Sequence, residues 1–179
     1  MTVGIDLSAE PGKTVAAVVT WSAAGAAISK LSPSATDAAI VKLAASATKV
    51  GIDCPLGWPV AFTDFVTRHQ RGEIRAGEGQ DFLARRHLAY RTTDLAVHKR
   101  GGPLPLSVAT DRIGRAAMRA AGLLAALDVG VGTGDRTGSG RVVEVYPAAA
   151  LERWGYEPRR YKGKGNLASP ETDGVRVLR

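Results

Sequence analysis

The stretch V-G-I-D-C-P-L-G-W-P at residues 50–59 decides how the rest of the chain is arranged. It begins with the apolar residues Val50 and Ile52 and reaches a carboxylate at Asp53, after which prolines and glycine stop any regular structure. A short apolar run bounded by such residues is typical of a buried β-strand. Ligands of open α/β sheets bind beyond the carboxyl ends of the strands, so Asp53 is predicted to lie at a binding site.

The same pattern opens the chain, where V-G-I-D occupies residues 3–6 and a turn, E-P-G, follows at residues 10–12. Parallel neighbouring strands end at the same edge of a sheet. If the two G-I-D strands are such neighbours, Asp6 and Asp53 lie side by side at that edge.

Length and charge limit the kind of protein. A chain of 179 residues, 45% of them hydrophobic, predicts one globular domain spanning residues 1–179. The net charge of +7 favours anionic partners, nucleic acid first, although a proteome rich in arginine and alanine produces basic proteins without such a partner. The single cysteine excludes an internal disulfide framework and a multi-cysteine zinc site.

The amino terminus carries no targeting signal that we recognise. No signal peptide precedes Val3, and no apolar run approaches the roughly 18 residues of a membrane span. We therefore expect a cytoplasmic protein without a membrane partner.

The first third of the chain predicts a sheet with one crossover. Short turns separate three predicted strands, which should form an antiparallel meander, at residues 2–7, 13–21 and 26–31. Residues 35–47 are rich in alanine and predict a helix, for which Ser34 or Thr36 is available as the N-cap. A helix between strands implies a crossover, so the strand at 49–53 is predicted to run parallel to the first.

The middle of the chain, residues 59–128, is predicted to be a helical and basic insertion between the fourth and fifth strands. Its helices are expected at residues 60–70, 82–90 and 110–127. The fifth strand is expected at 141–146 and a helix at 148–154. The glycine-rich residues 130–140 precede a strand, so they do not match a dinucleotide-binding or phosphate-binding loop.

Three of the predicted strands end in or carry an acid, namely Asp6, Asp53 and Glu144. Strand alternation turns Glu144 away from its neighbours Val143 and Val145. Carboxylates of this kind suit Mg²⁺ or Mn²⁺, and two such ions about 4 Å apart clamp both oxygens of a phosphodiester displacement. Acids at strand ends also cap turns or pair with arginines, but the paired G-I-D motifs favour a metal site.

The order of motifs resembles a known family. G-I-D, G-I-D-C-P-L-G-W-P, R-T-T-D at 91–94 and V-E-V-Y-P at 143–147 resemble the domain of unknown function 429 family, described as predicted nucleases with a ribonuclease-H-like fold. The resemblance runs from residue 3 to residues 161–162. It implies an α/β domain whose mixed five-stranded sheet, three antiparallel strands and then two parallel ones, is flanked by helices. It also implies an acidic metal centre, carried here onto Asp6, Asp53 and, less directly, Glu144 and Asp94.

The resemblance further implies a final helix with an acidic D-A-x-D-A-like segment that supplies a last metal carboxylate. Nothing in this chain matches that segment, and the sequence ends in R-V-L-R at 176–179. Either the chain is a truncated version or the role falls to Asp94 or Glu144. Without that helix the fifth-strand face would be exposed, which predicts a homodimer.

Several basic and aromatic residues are candidates for binding a substrate. Arg91 and Asp94 are three residues apart, so they form either a helix-surface ion pair or a unit in which Arg91 meets a phosphate and Asp94 the metal. The insertion's arginines, Arg85 and Arg86 among them, are expected to attract nucleic acid, unless the insertion is merely a solvated charged surface.

Three further residues of the quoted motifs have two interpretations each. Trp58 either stacks on a base or covers an edge of the core. Lys162, in the segment Y-K-G-K, either contacts phosphate or belongs to a basic tail. Cys54 should point to the opposite face from Asp53, and we expect it to be buried packing and not a nucleophile.

These features lead to one preferred function and two alternatives. The preferred one is a metal-dependent nuclease, with Mg²⁺ or Mn²⁺ at Asp6, Asp53 and Glu144 and with Asp94 in support. The first alternative is a catalytically inactive nucleic-acid-binding or scaffold protein of the same fold. The second is phosphotransfer of the sugar-kinase and actin-like type, since G-I-D-L-S followed by T-V-A-A-V also begins that fold.

Overall fold

The computed structural model describes residues 1–127 and 138–156, and these residues form an α/β fold. The strands are β1 (Thr2–Asp6), β2 (Val15–Ser22), β3 (Gly25–Pro33), β4 (Lys49–Ile52) and β5 (Val142–Glu144). The helices are α1 (Asp37–Ala44), α2 (Val60–Gln70), α3 (Phe82–Ala89), α4 (Thr92–Lys99), α5 (Gly114–Ala126) and α6 (Pro147–Arg153). A 3-10 turn at Pro11–Lys13 joins β1 to β2.

The five strands form one mixed sheet in the order β3-β2-β1-β4-β5. Strands β1, β2 and β3 are antiparallel neighbours, as the short turns between them predict. Helix α1 carries the chain across the sheet, so β4 pairs with β1 in parallel and β5 pairs with β4 in parallel. The predicted meander and the predicted parallel pairing are both confirmed.

The core lies on one face of the sheet, where alternate residues of the central strands are buried. These include Val3 and Ile5 of β1 and Val50 and Ile52 of β4, each at most 3% exposed. The main core cluster joins them to Ile40 and Ala44 of α1 and to Ala116, Ala117, Ala120 and Leu123 of α5. The alanine side chains of α5 are short, so this helix can pack close to the other core residues. The helical spacing of these alanines places them on one apolar face of α5.

Local hydrogen bonds explain where the helices begin. Thr36 is the N-cap of α1, and its hydroxyl accepts from the backbone N–H of Ala39 over 3.3 Å. Helix α5 begins at Gly114 and not at Thr110, because residues 107–111 form a turn in which the Asp111 carboxylate accepts the N–H of Ser107 (2.7 Å). Helix α4 had no separate prediction from the sequence.

Two segments of the chain are not described by the structure. Residues 128–137 and 157–179 are outside the described ranges, and so are Lys162 and the question of a final acidic helix. Within the described ranges, no helix combines the length and the apolar character that crossing a membrane requires.

Candidate functional site at the ends of the parallel strands

The two G-I-D motifs meet at one edge of the sheet. Strands β1 and β4 are in register, with Ile5 opposite Ile52. The N–H of Asp53 donates to the carbonyl oxygen of Ile5 over 2.8 Å, so the ladder continues to the aspartates. Because successive side chains of a strand alternate, Asp6 and Asp53 belong to the face opposite the buried Ile5 and Ile52. Asp6 is exposed and Asp53 is half-buried.

Glu144, the third predicted ligand, belongs to the other face of the sheet. In the parallel pairing of β4 and β5 it lies opposite the buried Ile52. Alternation therefore places its side chain on the core face; it points away from Val143 and Val145, as predicted, but not toward the aspartates. One oxygen of the Glu144 carboxylate accepts the backbone N–H of Leu56 over 3.0 Å. The structure thus brings Asp6 and Asp53 to one face and Glu144 to the opposite one.

Arg91 joins Glu144 to Asp94. Its Nη1 and Nη2 donate to the two carboxylate oxygens of Glu144 over 2.6 and 2.7 Å. Its Nε and Nη2 donate to the two carboxylate oxygens of Asp94 over 3.1 and 2.6 Å. The ion pair, one of the two predicted alternatives, is therefore formed, but the side chains of Arg91 and Asp94 are only 6% and 2% exposed, so the pair is buried and not on a helix surface. Bidentate pairs of this kind are the strong ones among charged hydrogen bonds.

The charge state of this cluster follows from its contacts. Burial alone lowers the pKa of Arg91, but its hydrogen bonds to Glu144 and Asp94 outweigh burial, and its pKa lies above the usual value. Arg91 is therefore a permanent cation between two carboxylates. The Asp94 carboxylate also accepts the backbone N–H of Arg91 over 2.9 Å, which begins helix α4.

Cys54 is buried, as predicted for a packing residue. It is 3% exposed and belongs to the main core cluster. Burial raises the pKa of its thiol to about 12, the charges of Glu144 and Asp53 raise it as well, and Arg91 lowers it.

Asp6 and Asp53 are the residues at this edge that could hold a metal ion. In the described part of the chain, no group of three or more His, Cys, Asp or Glu residues is arranged to hold a metal. Mg²⁺ is commonly bound through only one or two carboxylates, with water and substrate phosphate completing its coordination. The adjacent aspartates are an adequate donor set for that type of site.

The remaining predicted residues are distributed over different environments. Trp58 is half-buried and packs against the core cluster. Arg85 and Arg86 are exposed on α3, and the guanidinium carbon of Arg85 lies 5.8 Å from the centre of the Phe82 ring. Arg91 is buried against two carboxylates.

Sequence reasoning did not identify the contact between Glu144 and the N–H of Leu56. Nor did it show that Arg91 binds both Asp94 and Glu144. An R-x-x-D pattern and an isolated glutamate in a strand contain no local signal that one arginine pairs with both carboxylates. The contact depends on where the tertiary structure brings Arg91, the N-cap of α4, relative to Glu144 at the end of β5.

The comparisons with known proteins give a family and no activity. A family model described as "Protein of unknown function (DUF429)" matches residues 4–176. No curated protein and no solved structure matches the chain.

Proposed function

The chain belongs to the DUF429 family, and we propose that it is a metal-dependent nuclease with a ribonuclease-H-like fold. The observation that carries the proposal is the pairing of β1 with β4, which ends two neighbouring parallel strands in Asp6 and Asp53. The sheet order, with three antiparallel strands followed by two parallel ones, supports the fold assignment. Residues 59–128 are the helical insertion of that fold.

In this proposal Asp6 and Asp53 hold Mg²⁺ or Mn²⁺ at the edge of the sheet. Such an ion supplies an activated water and neutralises charge on the phosphate during phosphodiester hydrolysis. Asp6 is an exposed residue, whereas the backbone of Asp53 is fixed by the ladder. Glu144 and Asp94 support the site through Arg91 and do not bind the ion themselves.

The proposed substrate is nucleic acid. The net charge of +7 attracts a polyanion, and exposed arginines on α3 provide phosphate contacts away from the aspartates. Arg85 and Arg86 fall on one exposed helix with Phe82, which is 78% exposed. Arginine and an exposed aromatic ring together are suited to single-stranded segments, whose bases stack on such rings.

The test is cleavage of labelled RNA, DNA and RNA–DNA hybrid in the presence of Mn²⁺. Asp6→Asn and Asp53→Asn keep the size of each side chain and remove its charge, so each is expected to abolish cleavage. Asp64→Asn, at an exposed position of α2, is the matched control and should cleave like the wild type. Equal cleavage by all four proteins would contradict the assignment of the site.

A second function is favoured by one observation, namely that Glu144 is engaged by Arg91 and Leu56 on the face opposite the aspartates. A protein that keeps the fold and binds nucleic acid without cleaving it needs no third carboxylate. Salt-dependent binding without turnover, unchanged when metal is removed by chelation, would select this alternative. Metal-dependent cleavage would eliminate it.

A further inference from the structure

The turn that follows β4 is held by a backbone N–H hydrogen bond at each end. At its start, the N–H of Asp53 donates to Ile5. At its other end, the N–H of Leu56 donates to Glu144 over 3.0 Å. Residues 53–56, which we call the aspartate turn, therefore take their position from β1 and from β5 together.

The carboxylate that receives Leu56 is itself fixed by Arg91. The Glu144 side chain is 32% exposed, so in isolation it would be free to rotate toward water. Nη1 and Nη2 of Arg91 bind both of its oxygens, and buried Asp94 binds the adjacent edge of the same guanidinium, formed by Nε and Nη2. A planar guanidinium with two bidentate partners has little freedom to move.

We propose that Arg91, Glu144 and Asp94 form a clasp that holds the aspartate turn closed and so sets the position of Asp53. Arg91 is a positioning residue, because its guanidinium contacts carboxylates of the protein and acts on Asp53 only through the turn. The effect of the clasp on metal binding rests on the function proposed above. The effect of the clasp on the conformation of the turn is independent of that function.

Cys54 gives the clasp a direct readout. It is the single cysteine of the chain, it lies inside the aspartate turn, and it is 3% exposed. A thiol reagent can reach it only when the turn opens or the whole domain unfolds. The rate of labelling therefore reports opening of the turn whether or not the protein is an enzyme.

The experiment compares the wild type with Glu144→Gln, Glu144→Ala and Arg91→Lys. Glu144→Gln keeps an acceptor for Leu56 and weakens the contact with Arg91, so it serves as the mild variant if Glu144→Ala or Arg91→Lys fails to fold. Arg68→Ala is the matched control, because it removes an ion pair with Glu78 that lies outside the turn.

Two quantities are measured for each folded variant, the rate of Cys54 labelling and the affinity for Mn²⁺. We expect the clasp variants to label about tenfold faster or more, since each loses a hydrogen bond to a charged group. The increase should be independent of low concentrations of urea, because opening of one turn exposes little surface. Mn²⁺ should bind more weakly to the same variants, and Arg68→Ala should match the wild type in both measurements.

The outcomes separate the two proposals. If the wild type binds no Mn²⁺ while the clasp variants label faster, the nuclease proposal fails and the clasp stands. If folded Glu144→Ala and Glu144→Gln label at the wild-type rate, the clasp is overturned whatever the metal affinity. The clasp would also be overturned if the labelling rates of the variants rose only in proportion to their loss of global stability. In that case the labelling rate would depend on urea as steeply as global unfolding does.

Discussion

The backbone N–H of Asp53 donates to the carbonyl oxygen of Ile5 over 2.8 Å, one residue beyond the last strand residue of β4. This bond carries the parallel ladder past Ile52 and brings the two aspartates to the same edge. Their proximity therefore follows from backbone pairing, and it persists when either side chain is changed. Asp6→Asn and Asp53→Asn consequently test chemistry without moving the strands.

The two G-I-D glycines should differ in their tolerance of alanine. A Cβ atom on Gly51 would lie 2.8 Å from Cγ2 of Val145, and a β-branched valine has little freedom to move aside. We expect Gly51→Ala to lower the free energy of unfolding by about 1–3 kcal/mol, the usual cost of overpacking. Urea denaturation measures the change.

The control for this variant is Gly4→Ala, which changes the equivalent residue of the first motif. A Cβ atom there meets nothing within 4 Å. We expect the free energy of unfolding to stay the same or to rise slightly, because alanine restricts the unfolded chain. Equal losses in both variants would show that contact with Val145 is not the cause.

Substitution of Arg119 should destabilise the protein more than substitution of the exposed Arg115 on the same helix, because the Arg119 side chain is only 10% exposed. Its guanidinium donates to the Ser8 carbonyl (2.7 Å) and the Thr14 hydroxyl (2.6 Å), and it pairs with Asp37 (2.6 Å). Arg119→Ala removes these bonds and leaves the buried Thr14 hydroxyl with the Ser8 N–H as its remaining donor, so we expect a loss of about 2–4 kcal/mol in unfolding free energy. Thermal and chemical denaturation both measure it.

Arg115 is the matched residue for this comparison, because it is exposed on the same helix. Arg115→Ala should change the unfolding free energy by less than about 0.5 kcal/mol, as for most surface substitutions. A loss in Arg115→Ala as large as in Arg119→Ala would mean that helix propensity, and not the contacts of Arg119, governs both.

Cys54 should make stability fall at high pH. Burial raises the pKa of its thiol from the ordinary value of 9.0 to about 12 in the folded protein. Its contribution is therefore fully present below pH 9 and is lost as the pH rises from 9 toward 12, because the unfolded chain ionises first. The slope from this one group is about 1 kcal/mol per pH unit.

Cys54→Ala isolates that slope from the titration of lysines and tyrosines. Urea midpoints measured from pH 8.5 to about 10.5 should fall less steeply for Cys54→Ala than for the wild type. Parallel curves for the two proteins would show that the thiol is not desolvated in the folded state.

Arg85 and Arg86 should contribute to nucleic-acid binding and little to stability. Both are exposed, and the described residues offer them no ion pair. If they contact phosphates, Arg85→Ala/Arg86→Ala should lower the slope of log K against log salt for a single-stranded oligonucleotide by about 1–2. Arg112→Ala/Arg115→Ala, which changes two exposed arginines just before and in the first turn of α5, is the control of equal charge, and an unchanged slope in both double variants would contradict a role for α3.

Much of the sheet could be predicted because its signals are local. The alternation of Val3 and Ile5, and of Val50 and Ile52, identifies strands with one buried face. Short turns require antiparallel neighbours and an intervening helix requires a crossover, so the pairing of β1 with β4 followed from chain order. The start of α5 was less predictable, because the turn at 107–111 depends on Ser107 and Asp111 meeting each other.

The candidate site also has one part that the sequence predicts and one part that depends on tertiary packing. The sequence by itself determined that Asp6 and Asp53 end parallel strands, since the two-residue period of side chains and the order of elements are properties of the backbone. Only the tertiary structure decided that Glu144 belongs to the opposite face and is bound by Arg91, which lies 53 residues away in the chain. That contact depends on where the start of α4 lies relative to the end of β5, and no local pattern records the relative position of two distant elements.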